Sequence, residues 1–263
     1  MSAEAGGAVL SSKGSDGVTT LTINRPERRN AVNSAVVDEL ARLLKAAEDD
    51  ESVIALVLTG AGDRAFCAGA DLSGVQEVGP VAGHFARANI ADLFKSMRSS
   101  RLPIVARVNG HALGGGFGLM LACDLVVAAE HAEFGTPEIN VGLWPFIITA
   151  VLQREIPRKL CFELMFSGRR ISSGDGLAAG FVNRVVPPSQ MEDAVAELTE
   201  IIGSKSPLAL SLGKRSFYRA EDQTFDDAVE YLAGMLSVGV QSDDAAEGIS
   251  AFLQKRDPNW KGR

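Results

Sequence analysis

The feature that restricts this chain most is a junction between two apolar runs, residues 104–108 (Ile-Val-Ala-Arg-Val) and residues 113–122 (Leu-Gly-Gly-Gly-Phe-Gly-Leu-Met-Leu-Ala). The first is β-branched and reads as a buried strand; the second has its glycines near the start and reads as a buried helix. A strand that turns directly into a helix with no polar face belongs inside a layered α/β fold. The successive glycines Gly114, Gly115 and Gly116 have two readings. They allow close helix packing, or they let a ligand approach bare backbone, where unpaired amides and the positive end of the helix dipole favour negative charge.

A similar layout lies upstream. Residues 53–59 read as a fully buried strand, followed by the turn Gly60-Ala61-Gly62-Asp63 and the small-residue loop Arg64-Ala65-Phe66-Cys67-Ala68-Gly69-Ala70-Asp71-Leu72. Further along stand Asn24-Arg25-Pro26 with Asn30-Ala31, Gly135-Thr136-Pro137-Glu138, Gly168-Arg169-Arg170-Ile171-Ser172, and Glu247-Gly248-Ile249-Ser250-Ala251-Phe252 with Lys255-Arg256. In these motifs and their separation the sequence resembles the crotonase family, the enoyl-CoA hydratase and isomerase superfamily, over residues 15–260.

The resemblance implies an α/β spiral of stacked ββα turns with a C-terminal helical part that builds a trimer, or a hexamer of two trimers. It implies an acyl-CoA thioester as ligand, with coenzyme A part of the substrate and no separate cofactor. It assigns the amides of Ala70 and Gly115 as the two oxyanion donors and Glu138 as the acid/base. Arg25 or Arg29 would approach the coenzyme A phosphates or pantetheine, and the Ala68 region would face the adenine. Asp71, Leu72, Gly114, Gly118 and Trp144 would lie along the substrate. Phe252 and Lys255 would approach its coenzyme A end, in part from a neighbouring subunit.

Composition fits a globular chain. Hydrophobic residues make up 46% and charged residues 22%, and no apolar run approaches the roughly 20 residues of a membrane helix. A net charge of −7 argues against a general nucleic-acid surface, where phosphate neutralisation dominates. The expected partners therefore exclude nucleic acid and membrane, and the cytoplasm is the expected compartment. Cys67, Cys123 and Cys161 are odd in number, lack CxxC spacing and read as small core hydrophobes. His84, His111 and His131 are dispersed, so no metal site is expected.

Taken in order, residues 1–14 read as a flexible tail, 15–188 as the spiral core and 189–263 as the helical oligomerisation part. Residues 18–24 alternate as a strand ended by Arg25-Pro26. Ser34 is placed to cap a helix with Val37, Leu40, Leu44 and Ala47 on its apolar face. Residues 73–83 are irregular, 84–99 helical, and 124–129 a buried strand. Pro157 splits helices at 149–156 and 159–166, and residues 168–171 lead to a short helix and a strand at 182–186. Four helices follow, at 191–202, 208–219, 226–238 and 243–255.

The chemistry turns on carboxylates. Glu138 follows a proline in an apolar stretch, where desolvation would raise its pKa towards that of a useful base; taken alone it also fits a loop carboxylate that caps a helix or pairs with an arginine. Two aligned amides stabilise a thioester enolate, each worth about 3 to 4 kcal/mol in the transition state. Hydration conveniently uses two carboxylates, yet Gly118 stands where the family's hydratases place the first. Trp144-Pro145-Phe146-Ile147-Ile148 is bulky where those hydratases carry Pro-Gly-x-Gly-Gly. One carboxylate suffices for a 1,3-proton shift, as in the family's delta-3,delta-2-enoyl-CoA isomerases, so the sequence leans to isomerisation. Hydration stays open, with Asp71 and Glu77 as possible second carboxylates, as does non-catalytic acyl-CoA binding. Residues 143–154 hold no Asp or Glu, which weakens dehalogenase and dienoyl-CoA isomerase readings.

Overall fold

Successive pieces of the chain alternate between two sheets. The computed structural model describes residues 7–73 and 79–263. In chain order the first elements are β1 (Val9–Lys13), β2 (Val18–Ile23), α1 (Ser34–Asp49), β3 (Ala55–Gly60), β4 (Ala65–Cys67) and α2 (Pro80–Ser99). Next come β5 (Ile104–Val108), β6 (His111–Leu113), α3 (Gly115–Leu121), β7 (Leu125–Ala129), β8 (Glu133–Gly135), α4 (Phe146–Glu155) and α5 (Arg158–Ser167). The chain ends with β9 (Arg170–Ser172), α6 (Ser173–Ala179), β10 (Arg184–Val186), α7 (Met191–Gly203), α8 (Pro207–Glu221), α9 (Phe225–Gly239) and α10 (Asp243–Gln254).

The larger sheet has the order β1-β2-β3-β5-β7-β10, and the smaller β4-β6-β8-β9. Each turn of the chain thus lays one strand in each sheet: β3 then β4, β5 then β6, β7 then β8. The large-sheet pairs are parallel except β1 with β2. This is the expected spiral, its period carried by topology rather than by repeated sequence.

Both faces of the large sheet are covered, which is why its strands read as continuous apolar runs. Leu56, Leu58, Ile104, Ala106, Val126 and Ala128 face the main core. Ala55, Val57, Val105, Val127 and Ala129 face the opposite way, onto Met191, Ala194, Val195 and Ile202 of α7. Between the sheets Phe117 of α3 stacks on Phe134 of β8 at 5.6 Å, with Phe181 edge-on to both. All three cysteines are buried and free, as small core residues; burial pushes the Cys67 thiol up to about 12.

Several expectations are corrected. Residues 9–13, read as part of a flexible tail, form β1, because an edge strand needs one partner and β2 supplies it, Val9 opposite Ile23. The part of that tail at residues 1–6 lies outside the described residues. Asn33, not Ser34, caps α1: its side chain accepts from the Val36 amide, and Ser34 is the first helical residue. Residues 111–113 form β6, so α3 starts at Gly115 rather than at Leu113. The four C-terminal helices match their expected ranges to within two residues.

Candidate functional site

Three loops meet where β4 and β6 end and β8 runs out. The first leaves β4 through Ala68, Gly69 and Ala70. Gly69 has φ 99°, and a β-carbon there would lie 2.9 Å from the Leu113 carbonyl oxygen and 3.4 Å from the Gly115 nitrogen, so only glycine fits. The Gly69 carbonyl accepts from Val32 and the Asp71 amide donates to the Val32 carbonyl, each at 2.8 Å. In extended backbone the residue between two such bonds turns its own amide away from that partner, which leaves the Ala70 amide free of Val32.

The second loop is the junction from β6 to α3. Gly114 holds φ 53° and ψ −127°, a region that side chains disfavour, while its amide donates to Gly135 at 2.8 Å. A β-carbon at Gly116 would overlap the Cys67 carbonyl, so the first turn of α3 lies directly on the chain leaving β4. The Ala70 nitrogen is 3.7 Å from the point a Gly115 β-carbon would take. Neither the Ala70 nor the Gly115 amide donates to another described residue. Two amides from different loops, neither with a partner among the described residues, thus lie near one another, an arrangement that could hold an oxyanion.

The third loop carries Glu138 on a 3-10 turn, Pro137–Val141, closed by Gly142 at φ 75° and by the Leu143 amide donating to the Glu138 carbonyl at 3.0 Å. Its carboxylate rests against Gly114: a β-carbon there would stand 2.7 Å from Oε1. Oε2 is buried with no hydrogen-bond partner among the described residues. Burial holds the Glu138 pKa above the ordinary carboxylate value, opposed by a weaker backbone hydrogen bond. A carboxylate oxygen buried without a partner is costly, and a carboxylate whose pKa is raised can serve as a general base.

Gly118, one turn further along α3, is buried. A β-carbon there would overlap Ile148 and stand 3.4 Å from Phe94 Cζ. Asp71 faces elsewhere: it pairs with Arg25 at 2.8 Å and accepts from the amide and hydroxyl of Ser73. Ser73 and Arg25 hold its carboxyl down to about 2, so it is occupied as a permanent anion. Arg25 also donates to the Ala31 carbonyl at 2.6 Å, which commits it to this clamp. Glu77 lies outside the described residues.

Arg29 and Ala68 come together. The Ala68 amide donates to the Arg29 carbonyl at 3.0 Å, and both line a cleft of about 540 Å³ with Arg64, His111, Leu113, His131 and Arg170. Its basic side chains suit a phosphorylated ligand. Leu72 is exposed at the rim of its loop. Trp144 lies 5.7 Å from the Phe166 ring and lines a second cleft with Arg158 and Phe162. Phe252 is 82% exposed near the end of α10, and Lys255 caps that helix at φ 54°. Neither the packing of Ile148 and Phe94 around Gly118 nor the Arg25–Asp71 pairing is legible in the sequence, where the one signal is the bulk of residues 144–148. Among the described residues no group of three or more His, Cys, Asp or Glu could hold a metal, and no helix is long and apolar enough to cross a membrane.

Comparison with known proteins identifies the family. The enoyl-CoA hydratase/isomerase family model matches residues 13–263. The chain is 36% identical over 247 residues to the 2,3-dehydroadipyl-CoA hydratase of Escherichia coli, covering 94% of this chain and 96% of that protein. It is 33% identical over 240 residues to the short-chain-enoyl-CoA hydratase of Clostridium acetobutylicum, covering 91% and 92%. The crystal structure of an enoyl-CoA hydratase from Mycobacterium smegmatis superposes with a TM-score of 0.93 at 34% identity, covering 97% of this chain and 99% of that one. The chain belongs to the enoyl-CoA hydratase/isomerase family.

Proposed function

We propose that this protein is an enzyme acting on enoyl-CoA thioesters, and that its reaction is delta-3,delta-2 double-bond isomerisation with Glu138 as the single acid/base. The observation that carries this reading is the Glu138 carboxylate, buried and unpartnered at Oε2 among the described residues, against Gly114. Glu138 takes a proton from C2 of a 3-enoyl thioester. The electron pair spreads into a dienolate whose oxygen is held by the Ala70 and Gly115 amides, and the same proton returns at C4. The product is the 2-enoyl thioester, and no atom is gained or lost. The reading needs no cofactor beyond the coenzyme A of the substrate, which Arg29 and Ala68 would receive in the basic cleft. It includes a homotrimer in which Phe252 and Lys255 reach the ligand, a role in fatty-acid metabolism and a cytoplasmic setting, with no nucleic-acid or membrane partner.

A second reading, addition of water to a 2-enoyl thioester, is favoured by the hydratase names of relatives that match most of the chain. Product analysis separates the two. With isomerisation, 3-enoyl-CoA becomes 2-enoyl-CoA and stops there, and Glu138→Gln abolishes turnover while thioester affinity stays within about tenfold, because the amides remain. Formation of 3-hydroxyacyl-CoA from 2-enoyl-CoA establishes the hydratase instead. Full activity in Glu138→Gln overturns the single-base mechanism in either form.

A further inference from the structure

Gly118 and Ile148 share one volume, and which of them fills it bears on what Glu138 can do. The Gly118 amide donates to the Gly114 carbonyl at 3.1 Å, which sets Gly118 one turn beyond Gly114, the glycine on which the Glu138 carboxylate rests. A side chain at position 118 would lean back toward the helix N-terminus, which is toward Glu138. That path is closed. A β-carbon at 118 would overlap Ile148 Cγ2 and stand 2.7 Å from its Cβ, with Phe94 Cζ at 3.4 Å. Ile148 is 4% exposed and belongs to the main core. Its β-branched side chain, inside α4, has one strongly favoured rotamer and cannot swing aside.

We propose that Ile148 is the specificity-determining residue of this site. Backed by Phe94, it occupies the space that a residue-118 side chain would otherwise take. An apolar wall offers a water no hydrogen-bond partners, so the flank of Glu138 nearest α3 stays dry and the abstracted proton returns to carbon. This rests on the reading of Glu138 as the acid/base. It follows that a carboxylate can be installed at position 118 only when Ile148 is cut back. Water could then be held for hydration, its oxygen bonding to C3 and a proton arriving at C2.

Two measurements test this. In melting experiments, Gly118→Ala lowers Tm by roughly 2 to 10 °C, as overpacking does in a chain of this size. In an Ile148→Ala background the same change is neutral or raises Tm, since alanine favours a helix over glycine. An equal loss in both backgrounds overturns the shared volume, whatever the protein catalyses. In product assays with 2-enoyl-CoA, Gly118→Glu/Ile148→Ala forms 3-hydroxyacyl-CoA at least tenfold faster than the parent and either single variant. A parent that hydrates as fast as the double variant overturns Ile148 as the barrier and leaves Glu138 standing. Loss of the Glu138 reading shows separately, as a parent whose turnover survives Glu138→Gln, and the melting result is unaffected by it.

Discussion

Glu138 carries a tension that its own fold maintains. Its pKa is raised by burial, so the folded protein holds that proton more tightly than the unfolded chain does. The contribution to stability is therefore complete below the unfolded value and fades as pH rises through the folded one. Once ionised, the carboxylate, with Oε2 unpartnered among the described residues, works against the fold. Glu138→Gln removes the charge and keeps the shape. The variant should melt above the parent at pH 7, and the gap should close as pH falls to about 4, near the ordinary glutamate value. Melting curves at the two pH values decide it: a gap of the same size at both would mean that burial of this carboxylate costs nothing. The same raised pKa sets the working range, since kcat/KM should climb with pH through it as the base form appears.

At the scale of elements, the loop leaving β4 matters most, because it places the Ala70 amide. It is fixed on one side by the paired bonds to Val32 and on the other by Asp71, which bridges Arg25 and Ser73. A positioning role is the expectation for Asp71. Asp71→Asn removes the charge that holds Arg25, and with it one restraint on the amide. Because that amide is proposed to stabilise charge that develops in the transition state, kcat should fall by about tenfold to a hundredfold with KM changed much less. Steady-state kinetics check the split, and a rise in KM at constant kcat would mark Asp71 as an ordinary binding group instead.

The same loop shows what a sequence can carry. Long elements declare themselves by period: the apolar face of α1 and the doubly covered strands β3, β5 and β7 are written in residue order. The strands of the small sheet have three residues each, too few for any period, so His111 and Ala112 read as turn and Leu113 as the start of the helix. Gly114, Gly115 and Glu138 stand out because their spacing is a motif. The contact between Gly118 and Ile148 does not, since each looks like a separate local oddity until the packing of α3 on α4 joins them. Arg25 and Asp71 are likewise paired only by the isolated bridge between Val32 and Ala70.

Over the whole molecule, the covering of apolar surface is uneven. The spiral core is closed on both faces of its large sheet, whereas α8 to α10 leave Phe217, Phe225, Leu236, Phe252 and Leu253 each more than 60% exposed. A groove of about 690 Å³ between α8 and α9 is lined by Leu212, Phe217, Leu232, Met235 and Leu236. Soluble monomers rarely leave a continuous apolar patch of more than a few hundred Å² in water, and this apolar end is where the proposed trimer would make its contacts. The proposed trimer covers it with copies of itself, and light scattering should then give a mass of about 83 kDa, three times 27.8 kDa. Leu236→Glu sets a charge in the middle of the apolar groove, where burying it unpaired costs several kcal/mol, and should shift the mass toward one chain. If Phe252 and Lys255 serve a neighbouring subunit, the dissociated variant loses affinity for coenzyme A thioesters although its own Glu138, Ala70 and Gly115 are intact. A dissociated chain that binds and turns over thioester as the parent does would confine the ligand site to a single subunit, and a parent that already scatters as one chain would remove the trimer altogether.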